Sequence, residues 1–536
     1  MKITLIFSAF LLNVYTSAAQ NIDPLWIRQD GMECNSLYGA PFAMVDSAHD
    51  IIVCTEDYQP GSLNSILTTK YDPNGQLIWQ QKFDKLANDI LISSILDKSG
   101  AVYVAGNTSL NSTQGQLPSF IVLKYGSDGD SIWQYQLEDP NIGVNYVTKL
   151  LLDEDQNLMV FGQYGDVGAQ KSGLIVSKLS PNGNVIWSRS YINDTLSIGG
   201  LNARNIGDKW VFWGRNFSNN TGHQYISWQL DENGNTINTA SSESNFDNLF
   251  TSYYPSHIDM DGNLYIGADR LYKIAKYSLD ASLQWSYHKA DIFPQDPFFV
   301  NSRILDIESN NSSEIYVSGV FKDSTGRFSV ETLIDNSGQK QWEHNFVFNS
   351  NINCGFSKII KMPNEKMLFL GTISSSEEYE DSEFILSFYD KGGFIKGFIS
   401  DLIGEQNTPI DAATGSDNSL YLTGISYSES IPSIQTQLLC KYPLDQLLST
   451  TERTLSLNLY PNPVSSELIL DLPNPSQNAN STLEIWNTSG QFVKEITISK
   501  QHLTVKIPME SLPEGIYHII LRENGIAKGI GRVVKL

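Results

Sequence analysis

Apolar and polar positions alternate in short runs along most of the chain, and apolar residues nowhere recur with the 3.6-residue period of a helix face. One stretch shows the pattern clearly. Runs at Ile90 to Leu96, Ala101 to Asn107, Ser119 to Tyr125 and Ser131 to Leu137 are separated by Asp97-Lys98-Ser99-Gly100, by a longer segment, and by Ser127-Asp128-Gly129. Asp, Asn, Ser and Gly in those places favour tight hairpins, so the stretch predicts four antiparallel strands.

The same arrangement returns along the chain. Tyr71-Asp72-Pro73-Asn74-Gly75-Gln76-Leu77-Ile78-Trp79 aligns with the segments ending at Trp133 and Trp187, and the tryptophans are 54 residues apart in both steps. A second word precedes them: Val102-Tyr103-Val104-Ala105-Gly106, Leu158-Met159-Val160-Phe161-Gly162, Leu264-Tyr265-Ile266-Gly267 and Ile315-Tyr316-Val317-Ser318-Gly319, with weaker copies ending at Gly214, Gly371 and Gly424. One four-stranded sheet per period of about 50 residues suits radial packing, in which each twisted sheet buries both faces against its neighbours. The expected fold is all-β: a β-propeller. Counting the glycine word and its glycine-less first copy, Ile51-Ile52-Val53-Cys54, gives eight blades. Seven is the runner-up, should the weak copy near Trp213 or Phe394 not form a blade. The last unit stops after Leu438-Leu439-Cys440-Lys441-Tyr442, and Pro24-Leu25-Trp26-Ile27-Arg28 has the character of the missing outer strand, so it is expected to close the ring beside Cys440.

The two ends differ from the repeats. Lys2, an apolar run from Ile3 to about Tyr15 and Ser17-Ala18-Ala19 have the layout of an export signal cleaved after Ala19, and the run is too short for a spanning helix. Residues 20–448 form the expected propeller, 449–454 a polar linker, and 455–536 a separate small domain. There the alternating runs Glu467 to Leu472, Thr482 to Asn487, Phe492 to Ile498 and Ile516 to Leu521 suit an immunoglobulin-like β-sandwich.

Charge narrows the partners. Lys and Arg total 36 against 59 Asp and Glu, a formal charge of −23, which opposes binding to nucleic acid or to anionic membrane surfaces. No later segment qualifies as transmembrane. Cys34, Cys54, Cys354 and Cys440 allow three pairings, none favoured by spacing.

The Asp/Asn-Gly turn, the following Trp and the Tyr-Val-Ala-Gly strand resemble the SBBP-type β-propeller repeats of secreted bacterial proteins, over about residues 20 to 445. Leu457-Asn458-Leu459-Tyr460-Pro461-Asn462-Pro463-Val464, then Leu483 to Gln491 with Gly490, then Leu512-Pro513-Glu514-Gly515-Ile516-Tyr517 and the closing Val533-Val534-Lys535-Leu536 are similar to the type A sorting domain of type IX secretion cargo in Bacteroidetes. That resemblance makes Tyr460, Pro461, Asn462, Pro463, Gly490, Gly515 and Tyr517 the sorting motif. It implies the type IX secretion machinery as a partner, and a protein released outside the cell or attached to its outer surface.

No local catalytic motif occurs: no His-Glu-x-x-His, no Gly-x-Ser-x-Gly, no phosphate-cradling glycine loop, and no zinc-like spacing among the seven histidines. No cofactor is expected. Asp153-Glu154-Asp155-Gln156-Asn157 and Asp259-Met260-Asp261-Gly262-Asn263 offer alternate oxygen ligands of the kind calcium takes, but each sits where other copies carry a hairpin turn and lacks a distal bidentate Glu. Lys70, Lys124, Lys178, Lys276 and Lys441 recur at one strand position and read as structural, like the tryptophans. Second-to-third connections vary in length while the other turns are tight, which makes one face a variable, loop-bearing surface. Tyr58, Tyr164, Phe217, Tyr379 and Tyr427 are the candidate binding residues on those loops, with aromatic plugging of the loops as the alternative. The leading function is a binding module for an extracellular glycan or protein. A polymer-degrading hydrolase or lyase, which would need carboxylates or His converging on the channel, and a structural envelope component are the alternatives.

Overall fold

A computed structural model describes residues 19–22, 24–33, 42–57, 64–84, 88–109, 119–137, 144–166, 171–193, 197–218, 222–243, 255–268, 272–289, 302–311, 313–323, 326–347, 353–374, 382–400, 406–427, 435–444, 447, 455–471, 481–487, 492–498, 504–523 and 526–536. The chain divides into two compact units, one of Tyr15–Asp445 and one containing Gln446–Leu536.

In the first unit the alternating runs fold into antiparallel four-strand units in chain order: 42–83, 88–136, 144–193, 197–241, 256–288, 303–347 and 353–400, the last joined to the next unit by the parallel pair Ser382 and Gln406. The eighth is composite. Gln406–Gly415, Ser419–Tyr427 and Gln435–Pro443 are completed by Trp26–Glu33, with Trp26 opposite Lys441 and Ile27 opposite Cys440. The weak copies around Trp213 and Phe394 are complete sheets. One strand is legible in no repeat: Ala19–Asn21 runs parallel to the outer strand of the seventh sheet, opposite Gly397, Phe398 and Ile399.

First strands of consecutive sheets touch one another in order, and that of the eighth touches that of the first. Second and third strands are buried along their length, as at Ile51–Asp57 and Ser65–Tyr71, whereas fourth strands such as Leu77–Phe83 are largely exposed. First strands therefore line the centre and fourth strands form the rim, which is the β-propeller arrangement.

One contact repeats around the ring. Trp79 Nε1 on the rim of the first sheet donates to the Ser127 carbonyl of the second at 3.0 Å, and Lys70 Nζ donates to the same oxygen at 3.1 Å. Trp133 and Lys124 share the Pro181 carbonyl, both at 3.0 Å. Trp26 and Lys441 share that of Pro73 at 3.1 and 3.0 Å, so the composite sheet closes with the same latch. Trp187 to Glu232 and Trp285 to Asn336 keep the indole half of it. Each acceptor lies in a hairpin whose glycine lies under the ring: Gly129 has φ +91°, and a Cβ there would come within 2.6 Å of Trp79. Only glycine serves both the left-handed turn and this approach.

The lysine also ties its own sheet together. Lys70 meets Asp46 at 2.8 Å and Asp50 at 3.1 Å, Lys124 meets Asp97 at 3.5 Å, Lys178 meets Asp153 at 2.9 Å and Lys441 meets Asp417 at 3.0 Å. Burial alone would pull the Lys70 ammonium down; its hydrogen bonds to Asp46 and Asp50 outweigh this and hold it above the ordinary lysine value. The aspartates are turn-formers as well. Asp97 Oδ1 accepts the amides of Ser99 and Ala101 at 2.9 and 3.0 Å. In the two acidic turns, Asp153 Oδ1 accepts from Asn157 N at 2.7 Å, Asp259 Oδ1 accepts from Asp261 N and Asn263 N at 2.9 Å, and Asp259 Oδ2 accepts from the Tyr265 hydroxyl at 3.0 Å. Both use their first carboxylate as hairpin turns do.

Second strands serve the next sheet. First strands carry a bulge, between Leu91 and Ser93, Val147 and Lys149, and Gly200 and Asn202 among others. The amide beside each of these bulges is satisfied from the preceding sheet: Leu91 N donates to Glu56 Oε1 at 2.9 Å, Val147 N to Asn107 Oδ1 at 2.8 Å, and Gly200 N to Gln163 Oε1 at 2.9 Å. Of the three acceptors only Glu56 ionises, and burial pushes its carboxyl up to about 7.

In the second unit two sheets enclose one core. Leu455–Ser456, Ile526–Lys535, Gly515–Glu523, Ser481–Asn487 and Phe492–Ile498 form one sheet, and Asn458–Tyr460, Glu467–Asp471 and Thr504–Pro508 the other. Leu468, Leu470, Leu483, Ile485, Ile507, Ile519 and Val533 are buried together.

Two predictions follow from the ring contacts. Trp79→Ala removes a large side chain from between two sheets and is expected to cost about 3 kcal/mol, while Trp79→Phe, losing chiefly the hydrogen bond, costs about 1 kcal/mol; thermal unfolding by circular dichroism orders them. Glu56 binds its proton more tightly folded than unfolded, so between its ordinary 4.5 and about 7 stability falls as pH rises. Glu56→Gln keeps the acceptor and loses the charge, so its melting temperature should exceed the parent's above pH 7, by up to about 3 kcal/mol in stability, and converge with it near pH 4. Parallel melting curves across pH would disprove this.

Candidate functional site

The bulged first strands turn polar side chains toward the centre of the ring. The second bulge residue, opposite the residue just ahead of the repeat glycine, is Lys149 in the third sheet, Asn202 in the fourth, Asp306 in the sixth, Lys358 in the seventh and Asp411 in the eighth. A second row lies nearer the tight first-to-second turns. Arg204, His257 and Glu308 are opposite Val211, Tyr265 and Tyr316 in three consecutive sheets.

Part of the upper row latches neighbouring first strands. Ser93 Oγ accepts from Leu150 N at 3.2 Å, Asp306 Oδ2 from Ile359 N at 2.8 Å, and Asp411 Oδ2 from Ala43 N at 3.1 Å, while Asn202 Nδ2 donates to the Ser256 carbonyl at 2.9 Å. Burial raises the Asp411 carboxyl above its ordinary value. Lys358 lies 3.4 Å from Asp306. Lys149 differs: Nζ donates to Asn202 Oδ1 at 3.1 Å, and no carboxylate among the described residues pairs with it. Burial, then the positive charge of Lys358, hold its ammonium below the ordinary lysine value.

In the lower row, Arg204 donates to the Ile258 carbonyl at 2.6 Å, over the edge of the fifth sheet. His257 Nε2 is 2.7 Å from Ser309 Oγ, and its Nδ1 is 3.4 Å from Glu308 Oε1. Burial, reinforced by Arg204, Lys149, Lys358 and Lys361, pushes the imidazole down to about 3, so it is neutral and the Glu308 contact is not an ion pair. Burial raises the Glu308 carboxyl. Glutamate, imidazole and hydroxyl stand in the order of a nucleophilic triad, yet an imidazole held at about 3 is a weak base for a serine proton.

The loop candidates fare differently. Tyr164 is no loop residue: it is buried in Leu158–Asp166 opposite Gly173, where a Cβ would strike its ring. The second strand runs further than its sequence pattern suggests, because its pairing with the third continues to Asp166. Phe217 and Tyr427 likewise have strand backbone, opposite His223 and Gln435, while Tyr58 and Tyr379 lie outside the described residues. The channel rows were not singled out in the sequence. Their one signal was a charged or amide residue 12 or 13 positions ahead of the repeat glycine, at Lys149, Asn202, Asp306, Lys358 and Asp411.

Of the sorting residues, Tyr460 is exposed, and Asn462 Oδ1 accepts from Val534 N at 2.9 Å, joining the Tyr-Pro-Asn-Pro turn to the final strand. The Tyr460–Pro461 and Asn462–Pro463 peptides are cis. Gly515 begins a strand in which Tyr517 is buried, its hydroxyl donating to the Pro513 carbonyl at 2.8 Å; Gly490 lies outside the described residues. Cys54 and Cys440 are buried free thiols. Among the described residues no His, Cys, Asp and Glu side chains converge as a metal set, and no helix is long and apolar enough to cross a membrane.

Among solved structures, the chain is similar to the WD40 domain of SCAP from fission yeast, with 11% identity over 78% of this chain and 98% of that one at a TM-score of 0.41. It is also similar to an ulvan lyase of polysaccharide lyase family PL25, with 14% identity over 69% and 97% at 0.39, and to a protein of unknown function from Bacteroides caccae, with 13% identity over 50% and 86% at 0.28. No curated protein matches the chain significantly. The propeller arrangement rests on the strand pairing above. Residues 458–535 match the Secretion system C-terminal sorting domain, and the chain is thereby one addressed by the type IX system for secretion and attachment at the cell surface.

Proposed function

We propose that this chain is an exported binding protein whose eight sheets are the blades of one closed propeller, of the SBBP-type repeat class, and whose ligand enters the central channel. The carrying observation is the pair of polar rows on the first strands, above all a lysine with no carboxylate partner among the described residues and, two sheets on, a neutral histidine. Charge and hydrogen-bonding groups are costly to line up in a half-buried place unless something uses them. Phe217 and Tyr427 then belong to the channel's approaches, and Tyr58 and Tyr379 are kept as candidate binding residues. The residues beyond 455 serve as an address, with an immunoglobulin-like sandwich as its form and Bacteroidetes as the source.

A hydrolase or lyase is the second reading, favoured by the Glu308, His257 and Ser309 contacts. Two measurements separate the readings. The chain from residue 20 onward, applied to glycan and peptide arrays, should bind one ligand class without consuming it, and Glu308→Gln should weaken that binding while leaving the melt in place. Turnover of a polymer by the parent, abolished in Ser309→Ala, would establish the enzyme instead.

The address makes its own prediction. Truncation after Leu448 should leave the propeller's cooperative melt intact and hold the protein in the periplasm, while residues 455–536 fused to a fluorescent cargo should carry it outside. Normal appearance of the truncated protein outside the cell would contradict the sorting role.

A further inference from the structure

The channel's charges are out of keeping with the chain as a whole. At a net charge of −23, the molecule nevertheless brings Lys149, Arg204 and Lys358 to the inner strands of its third, fourth and seventh sheets. In a ring of eight the third and seventh stand opposite each other, and Lys358 is the charged group that most disfavours the Lys149 ammonium. The two lysines thus face each other across the channel, with Arg204 one sheet along from Lys149. Like charges brought together this way repel, and Asp306, 3.4 Å from Lys358, offsets the repulsion at that end of the pair and not at Lys149.

Each nearby carboxylate already has work. Asp306 accepts the amides of Ile307 at 3.0 Å and Ile359 at 2.8 Å and lies 3.4 Å from Lys358, and Asp411 accepts the amide of Ala43. Glu308 accepts Ser309 N at 2.9 Å and faces His257. Asn202 Oδ1, the acceptor for Lys149, also takes the Ala203 amide at 2.9 Å. These carboxylates hold the ring in register, and none pairs with Lys149.

Resting on the binding reading above, we propose that the channel holds the oxyanion of an acidic saccharide, a carboxylate or sulfate placed between Lys149, Arg204 and Lys358. The guanidinium of Arg204, which donates to the Ile258 carbonyl at 2.6 Å and to the Met260 sulfur at 2.7 Å, keeps further N–H groups that suit a planar or tetrahedral oxyanion. Asp306 and Glu308 stand interleaved with the cations and would repel a plain polyanion, and Asn202 adds a neutral acceptor. A sugar acid satisfies both sets at once: its anionic group meets the cations and its neighbouring hydroxyls donate to the acceptors. An acidic peptide supplies carboxylates on flexible stems without that dense set of hydroxyl donors.

The test is calorimetric titration of the chain from residue 20 onward with four probes: an oligogalacturonate, a sulfated oligosaccharide, a neutral oligosaccharide of equal length, and a triglutamate peptide. At least one acidic saccharide should bind ten-fold or more tighter than the neutral one and than the peptide, and should weaken as salt rises. Lys149→Met should weaken it at least ten-fold. Because that lysine has no carboxylate partner among the described residues, the same substitution should raise the melting temperature of the free protein, which distinguishes loss of a ligand contact from damage to the fold. Equal binding of acidic and neutral saccharides, or acidic binding unchanged in Lys149→Met, overturns this inference and leaves the binding reading standing. Preference for triglutamate replaces the saccharide with a peptide ligand. Failure of every probe on this titration, with silent arrays, sinks both.

Discussion

A single carbonyl oxygen, shared by an indole N–H and a lysine ammonium from the neighbouring sheet, organises the ring. At Ser127, Pro181 and Pro73 the oxygen belongs to a tight hairpin of the next sheet, so each hydrogen-bond pair sets both the separation and the angle between sheets. The glycine of the hairpin lets the indole lie flat on the turn, and the aspartate at the other end of the lysine anchors the hairpin of its own sheet. The indole contact recurs from Trp79, Trp133, Trp187 and Trp285, and the composite eighth sheet closes through Trp26 and Lys441.

The channel follows from the same geometry. First strands crowd at the centre, and in most of them an extra residue relieves the crowding by bulging out of register. A bulge leaves an amide unpaired in its own sheet. The molecule answers from the preceding sheet with Glu56, Asn107 and Gln163, and from the upper channel row with Asp306 and Asp411. Channel polarity therefore begins as a structural need. What exceeds that need is confined to one arc, where Lys149, Arg204, His257 and Glu308 do more than satisfy amides, and there the ring departs from its own symmetry.

Much of this was open to reading before any coordinates. The tryptophan spacing, the glycine word and the turn residues depend on local chemistry: strand alternation, left-handed turns and hairpin aspartates are decided within a few neighbouring positions. The same holds for the sorting words near Tyr460 and Tyr517, whose contacts to Val534 and Pro513 stabilise turns of short sequence pattern. The completion of the eighth sheet by Trp26 was legible because a strand was missing at one end and spare at the other.

Tertiary structure decided the rest. Tyr164 read as a loop aromatic and is a packing residue, because the length of a strand pair depends on its partner's backbone and not on its own pattern. Ala19–Asn21 found a parallel partner almost four hundred residues away, which no local periodicity encodes. Lys149, Arg204, His257, Glu308 and Lys358 lie on five consecutive repeats, each unremarkable in its own segment. The sequence by itself determined the strands, the turns, the repeat and the address, since those rest on short-range sterics and hydrogen bonding. Which charges meet at the centre was decided only by closing the ring, because Coulomb interaction follows distance in space and the fold alone sets that distance.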